Sequence, residues 1–201
     1  MVASLIVDGL TGIRGQRVLF RGLSFRVEAG QVLSLEGPNG AGKTSLLRMM
    51  AGFLSPAAGT IALCGVQDAD GRGRQVGWLG HHDAAKPQLS PREALRFFAD
   101  LHRVQADVDA ALETVGLRAV ADLPCQYLSA GQKKRLALAR LNLSQRPVWL
   151  LDEPLAALDG AGKALAAAFL ASHAKIGGIA IAATHEALGL ECPRLALGAA
   201  T

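Results

Sequence analysis

At 201 residues, half of them apolar, the chain can bury one sizeable core and falls within the size range of a single domain. A net charge of +4, spread along the chain apart from Lys133, Lys134 and Arg135 and the turn carrying Arg72 and Arg74, gives no electrostatic footprint for nucleic acid, and with so few aromatic residues there is no stacking platform for single strands. Cys64, Cys125 and Cys192 are odd in number and far apart, which argues against a disulfide framework or a paired-cysteine metal site, so the thiols read as buried or inert.

Residues 1–8 carry no basic stretch ahead of a long apolar segment, so no secretory signal is expected and the chain is expected to stay in the cytosol. Short strands follow at 5–8, 17–21, 23–27 and 32–36, punctuated by Gly15, Gly22 and Gly30; they read as a twisted antiparallel hairpin region leading into a buried strand. From Gly42 the pattern turns helical, with Leu46, Leu47, Met50 and Leu54 at helix spacing until Ser55, Pro56 and Gly59 end it. Ser90 and Glu93 form a capping box with Pro91 at the first helical position, opening a helix to about Arg103. A further helix from about Asp107 stops at Gly116, and a longer one runs from Gly131 to about Gln145, where Arg146 and Pro147 end it. Residues 88–146 therefore read as a mainly helical insert. A strand at 148–151, a helix from about 160 to 175 and a strand at 179–183 then give the alternation of a parallel sheet covered by helices. The most apolar stretch, 164–184, is interrupted by His173, Lys175, Gly177 and Gly178 and falls short of a membrane span. The whole of 1–201 is expected to form one α/β domain.

Gly37, Pro38, Asn39, Gly40, Ala41, Gly42, Lys43 and Thr44 fit the GxxxxGK[ST] phosphate loop, between a predicted strand and a predicted helix as that motif requires. Glycines let the backbone curl and aim its N–H groups at phosphate, and the helix N-terminus behind adds a favourable dipole. Lys43 is expected to reach the β- and γ-phosphates and Thr44 to ligate magnesium, with Ser45 completing the cradle. The apolar run 148–151 delivers Asp152 and Glu153 to the end of a buried strand, where nucleotide sites in open parallel sheets form. Asp152 suits the magnesium role, directly or through water, and Glu153 suits orientation of an attacking water. Ser129, near an N-cap and followed by Gly131 and Gln132, opens the long helix; alone it is an ordinary helix start, but it is also a second anion site. His185 follows the strand 179–183 on the same sheet edge, where an imidazole could contact γ-phosphate and water, although a lone histidine is more often structural. His102 and His173 have no partner at metal-ligand spacing and are assigned no role.

In this order the motifs resemble the ATP-binding cassette family of P-loop NTPases across essentially the whole chain. By that resemblance 37–44 is the Walker A loop, 128–132 the signature, 150–153 the end of Walker B, 157–159 the D-loop and His185 the switch histidine, with Lys43, Glu153 and His185 as catalytic residues. The resemblance implies MgATP sandwiched head to tail between two cassettes, identical or paralogous, with Ser129 and Gly131 of one facing Walker A of the other. The stretches GPNGAGKTSLLR, VGWLGHHDAAKPQLSPREAL, LSAGQKKRLALARL and WLLDEPLAALD look like the ATPase subunits of the haem exporter used in c-type cytochrome maturation. That implies a peripheral enzyme on the cytoplasmic side of a bacterial inner membrane, working with integral membrane subunits and indirectly with a haem chaperone.

Three positions depart from the family pattern. His81 and His82 stand where a glutamine usually meets magnesium and the membrane partner. Ile13, Arg14 and Gly15 occupy the place of the aromatic residue that usually stacks on adenine, and Arg14 is either a stacking guanidinium or a solvated turn residue. Ala130 replaces the commoner glycine of the signature. Lys133, Lys134 and Arg135 read as a solvated helix face more readily than as a lipid or partner patch. Rival functions are the ATPase of another small exporter, a soluble ATP-gated clamp, and a nucleotide kinase. A clamp would need a long coiled-coil insert or a second cassette, and a kinase would leave the signature and His185 without a task.

Overall fold

The computed structural model describes residues 4–80 and 86–198. Its first half runs β1 (Ser4–Arg14), β2 (Arg17–Glu28), β3 (Val32–Glu36), α1 (Lys43–Met50), β4 (Ala58–Leu63), α2 (Ala69–Gln75) and β5 (Val76–Leu79). Its second half runs α3 (Pro91–His102), α4 (Val108–Thr114), α5 (Ala130–Leu143), β6 (Val148–Asp152), α6 (Gly160–Lys175), β7 (Ile179–Ala183) and β8 (Arg194–Ala196).

β1 pairs antiparallel with β2 on one side and β4 on the other. The segments 17–21 and 23–27 are one strand, because Gly22 at φ 63 absorbs the bend between them without ending the pairing. Leu5, Val7 and Leu10 of β1 face inward, and β4 brings Ile61 and Leu63 to the same face. β4 escapes sequence reading because its pairing partner lies some fifty residues earlier in the chain, roughly, and its own alternation covers only a few positions.

The second sheet is parallel throughout, in the order β5-β6-β7-β3-β8. Every residue of β6 and β7 is buried, as expected for strands covered on both faces. Val148, Leu150, Ile179 and Ile181 pack with Leu46, Leu47, Met49 and Met50 of α1, so that helix lies between the parallel sheet and the antiparallel one. Trp149, Leu151, Ala180 and Ala182 face the other way, against Leu138 and Leu141 of α5 and Ala166 and Leu170 of α6.

The helical insert has its own small core of Leu95, Leu112, Leu117, Leu128 and Leu136. It is not independent of the sheet, because the C-terminal half of α5 packs directly on β6. The capping boxes at Ser90 and Ser129 both form. Lys134 does not belong to a solvated face: it is buried, and Arg135 pairs with Asp159 at 2.5 Å. α1 stops at Met50 rather than continuing to Leu54, since Ala51 caps it and Gly52 turns away at φ 82. His173 stacks flat on Trp149 at 3.9 Å between ring centroids, and His102 meets Arg146 through Nδ1 at 3.1 Å, so both histidines have structural partners.

The basic turn expected around Arg72 and Arg74 is the helix α2, capped by Asp68. Its Arg72 is buried, and the guanidinium donates to the carbonyls of Met49 and Met50, each at 3.3 Å, and to that of Gln67. A cation thereby satisfies the last carbonyls of the helix whose other end forms the phosphate loop. Arg72→Met should lower stability by about 2–3 kcal/mol, read from urea unfolding, because buried acceptors lose charged donors.

Candidate functional site

The C-terminal ends of β3, β7 and β6 are neighbours, so the loops leaving them meet on one sheet edge. After β3 the chain takes positive φ at Gly37 (143°), Gly40 (80°) and Gly42 (101°) before α1 begins. A Cβ at Gly37 would lie 2.3 Å from the carbonyl oxygen of Leu197, so no larger residue fits there. Gly42 is the N-cap of α1, which points the free N–H groups of the first turn into the loop.

Lys43 is buried and folds back over the loop: its Nζ donates to the carbonyls of Gly37 at 2.6 Å and Pro38 at 3.3 Å and lies 3.0 Å from His185 Nε2. Thr44 Oγ1 donates to the Asp152 carboxylate, 2.9 Å from one oxygen and 3.1 Å from the other. A hydroxyl beside a buried carboxylate is a hard-oxygen donor set, the kind magnesium takes in phosphate sites with one or two protein carboxylates. The residues present therefore fit that ion.

Glu153 adopts φ 51°, a left-handed backbone that a non-glycine residue holds only when its surroundings enforce it. Its N–H is pinned to the Ala183 carbonyl at 2.8 Å, at the end of the neighbouring strand. The carboxylate then faces His185, with 3.5 Å between Oε1 and Nε2. The same ring nitrogen lies 2.9 Å from Asn39 Oδ1. One imidazole nitrogen thus serves a cation, an amide oxygen and a carboxylate, and its tautomer decides which it engages. The Asn39 contact has no sequence signal, because it spans the loop after β3 and the end of β7.

Beside His185, which faces a neighbouring depression, these side chains border a cleft of ≈ 530 Å³, within the range of small-ligand sites. Pro38, Asn39, Gly40, Gly42, Lys43, Thr44, Ser45, Asp152 and Glu153 line it, joined by Arg14, Leu19, Arg48, Trp78 and Gly80. Ala41 is buried beneath the loop. Leu19, Arg48 and Trp78 escape motif reading because they come from three separate elements. His81 and His82 lie outside the described residues.

Ser129, Gly131 and Gln132 do not border this cleft. Ser129 Oγ accepts from the Gln132 N–H at 3.2 Å, and Gln132 Oε1 accepts from the Ser129 N–H at 2.9 Å. That leaves the N–H groups of Ala130 and Gly131 as the open donors of the helix start. Gly131 sits against Ala157, itself at φ 65°, so closely that a Cβ would stand 2.8 Å from the Ala157 carbonyl oxygen. With the Arg135 to Asp159 pair, this locks the start of α5 to the segment that follows Glu153.

The family model described as ABC transporter matches residues 20–156. The chain is 48% identical over 193 residues to the cytochrome c biogenesis ATP-binding export protein CcmA of Rhodopseudomonas palustris (strain BisB5), covering 96% of each. It is 46% identical over 198 residues to the protein of the same name from Mesorhizobium japonicum, covering 98% of each. Among solved structures, an ABC transporter ATP-binding protein from Pyrococcus furiosus superposes with a TM-score of 0.84 at 24% identity, covering 96% of this chain and 97% of that one. An ATP-binding cassette solved as a dimer in a post-hydrolysis state bound to ADP and Pi gives 0.79 at 20% identity, covering 90% and 88%. At such identities the solved structures speak for the fold alone.

Gly131→Ala should force the Ala157 carbonyl aside and destabilise the chain by about 1–3 kcal/mol, the usual range for overpacking, measured as a fall in midpoint on thermal unfolding.

Proposed function

Because the chain belongs to the ABC transporter ATP-binding family, we propose that it is the ATP-hydrolysing subunit of an export complex serving c-type cytochrome maturation, driving the release or transport of haem or a haem-loaded chaperone. The observation that carries this reading is the meeting of Lys43, Thr44, Asp152, Glu153 and His185 at one sheet edge, in a chain nearly half identical over its length to proteins named for cytochrome c biogenesis and export.

In this reading residues 37–45 cradle the phosphates through backbone N–H groups, and Lys43 moves from its loop carbonyls to the β- and γ-phosphate oxygens. Thr44 and Asp152 would hold magnesium, which when bound would offset phosphate charge. Glu153 orients the attacking water by its position. His185, already between Lys43 and Glu153, senses the γ-phosphate and the water together.

Ser129, Gly131 and Gln132 complete the site of a second cassette, identical or paralogous. Their open N–H donors lie away from the cleft of their own chain, so the phosphate they serve belongs to another. The lock between Gly131 and Ala157 then links the two ends: movement at Glu153 in one site reaches the anion site offered to the other.

Integral membrane subunits dock on the groove between α3 and α5, bordered by Ala94, Phe97, Phe98 and Leu136 with Lys86, Lys133 and Arg140 at its rim. Phe97 and Leu101 stand 55% and 64% exposed beside it. An apolar segment with acidic flanks suits such a groove. The assembly would place the chain peripherally on the cytoplasmic side of the bacterial inner membrane.

Glu153→Gln should lower turnover by about 10²–10⁴-fold while nucleotide binding persists. With ATP, the same variant should hold the cassette dimer and draw membrane subunits with haem or its chaperone from detergent-solubilised membranes. Membrane subunits of another exporter, without haem, would replace the cargo in this reading, and a soluble dimer with no membrane partner would favour an ATP-gated clamp. Replacing Phe97 and Leu101 together by Asp should abolish membrane-subunit capture and leave hydrolysis by the isolated chain within about twofold, since distant surface changes act independently of the site.

A further inference from the structure

At the edge of the parallel sheet opposite the nucleotide cleft, one side chain joins several elements. Arg146 lies in the linker between α5 and β6. Its guanidinium donates through Nη1 to the Arg74 carbonyl of α2 at 2.5 Å, and its Nη2 lies 3.1 Å from Nδ1 of His102, the last residue of α3. Arg74 and Arg146 each stand two residues before a strand, and those strands, β5 and β6, pair from their first residues, Val76 with Val148. Both run to the nucleotide cleft, where the end of β5 brings Trp78 and Gly80 and the end of β6 brings Asp152 and Glu153.

His102 also reaches the other way. Its ring lies 4.3 Å from that of Phe98, over which Arg140 of α5 stands at 5.4 Å, and Phe98 and Arg140 both border the groove between α3 and α5. Phe98, His102, Arg146 and the starts of β5 and β6 thus form one unbroken set of contacts from the groove to two strands that end in the cleft. β6 is only five residues long and wholly buried, so it moves as a rigid piece and a shift at its first residue is felt at its last.

A guanidinium carries donors alone, so the contact requires an unprotonated Nδ1 on His102, with the ring proton on Nε2. Burial, and after it the charge of Arg146, push the His102 pKa below its ordinary value, which keeps the ring neutral at neutral pH. The other charged side chains on the elements around it are Arg140 of α5, Arg74 of α2, and Asp100 and Arg103 beside it in the chain. Arg146 offers its two acceptors a fixed planar fork, which a lysine ammonium on a flexible stem cannot reproduce. We infer that Arg146 is a positioning residue for hydrolysis in the assembled complex: through His102 it passes a shift of α3 to the origins of β5 and β6, so that occupation of the groove sets the geometry of the cleft. The inference rests on the reading that membrane subunits dock on that groove.

The measurement is the ratio of ATP hydrolysis in the membrane complex co-purified with the chain to hydrolysis by the isolated chain, followed between about pH 5.5 and 8. Near neutral pH the parent ratio should differ from one by more than about threefold, and it should approach one below about pH 6, as His102 gains a proton and faces Arg146 as a like charge. His102→Ala should bring the ratio to within about twofold of one at every pH, with co-purification and hydrolysis by the isolated chain unchanged, and Arg146→Lys should lower the ratio in the same way. His102→Gln, whose amide oxygen still accepts from Arg146, should keep the parent ratio and hold it at acid pH. A parent ratio within about threefold of one, a His102→Ala ratio equal to the parent's, or the same acid loss in His102→Gln as in the parent overturns the inference. If no membrane subunit co-purifies with the parent chain, the docking reading falls and takes the inference with it.

Discussion

The site depends on three parallel strands lying side by side with their C-terminal ends level. β3, β7 and β6 are consecutive neighbours, and each delivers one chemical element at its end: the phosphate loop, His185, and the Asp152 and Glu153 pair. Parallel pairing forces this geometry, because the connections must cross over the faces of the sheet and leave every carboxyl end on the same edge. The complete burial of β6 and β7 makes the arrangement stiff, so distances such as Thr44 to Asp152 are set by packing and not by loop flexibility.

Part of the backbone strain lies where the chemistry sits. Gly37, Gly40 and Gly42 take positive φ in the loop, and Glu153 and Ala157 take it without being glycine. A non-glycine residue in that region costs of order 1–3 kcal/mol and persists only when neighbours hold it. For Glu153 the holder is the Ala183 carbonyl at the end of β7; at Ala157 the chain is pressed against Gly131. The segment 153–159 is therefore a short strained bridge, fixed at one end at Glu153 and at the other, through Asp159 and Arg135, to the start of α5. α5 itself spans both cores, with Leu136 in the helical one and Leu138 and Leu141 on the sheet. A displacement at the carboxylate has a continuous path to the groove between α3 and α5.

The antiparallel sheet has a different task. It covers the outer face of α1 and extends its hairpin over the cleft, so it both buries the phosphate-loop helix and forms the wall a base would meet. At the far end of the same helix, Arg72 satisfies the closing carbonyls. α1 is thus held at its sides by two sheets and at its C-terminus by a buried cation, which fixes the N-terminus that carries Lys43 and Thr44.

Much of this was legible in the chain itself. The phosphate loop, the apolar run into Asp152 and Glu153, the capping box at Ser90, the helix start near Ser129 and the alternation of the last third are local signals, because each rests on neighbours within a few positions along the chain. The sequence alone determined the family and the elements that carry the motifs. Tertiary structure decided the rest: that 17–28 is one strand, that β4 and β8 exist as partners of β1 and β3, that Lys134 is buried, and that Arg72 belongs to a helix and reaches α1. It also decided which side chains meet, placing Asn39 against His185 and leaving Ser129 outside the cleft. The physical reason is the same in each case: pairing, burial and close approach between distant segments are set by the packing of whole elements, and no local pattern encodes which distant surface an element will meet.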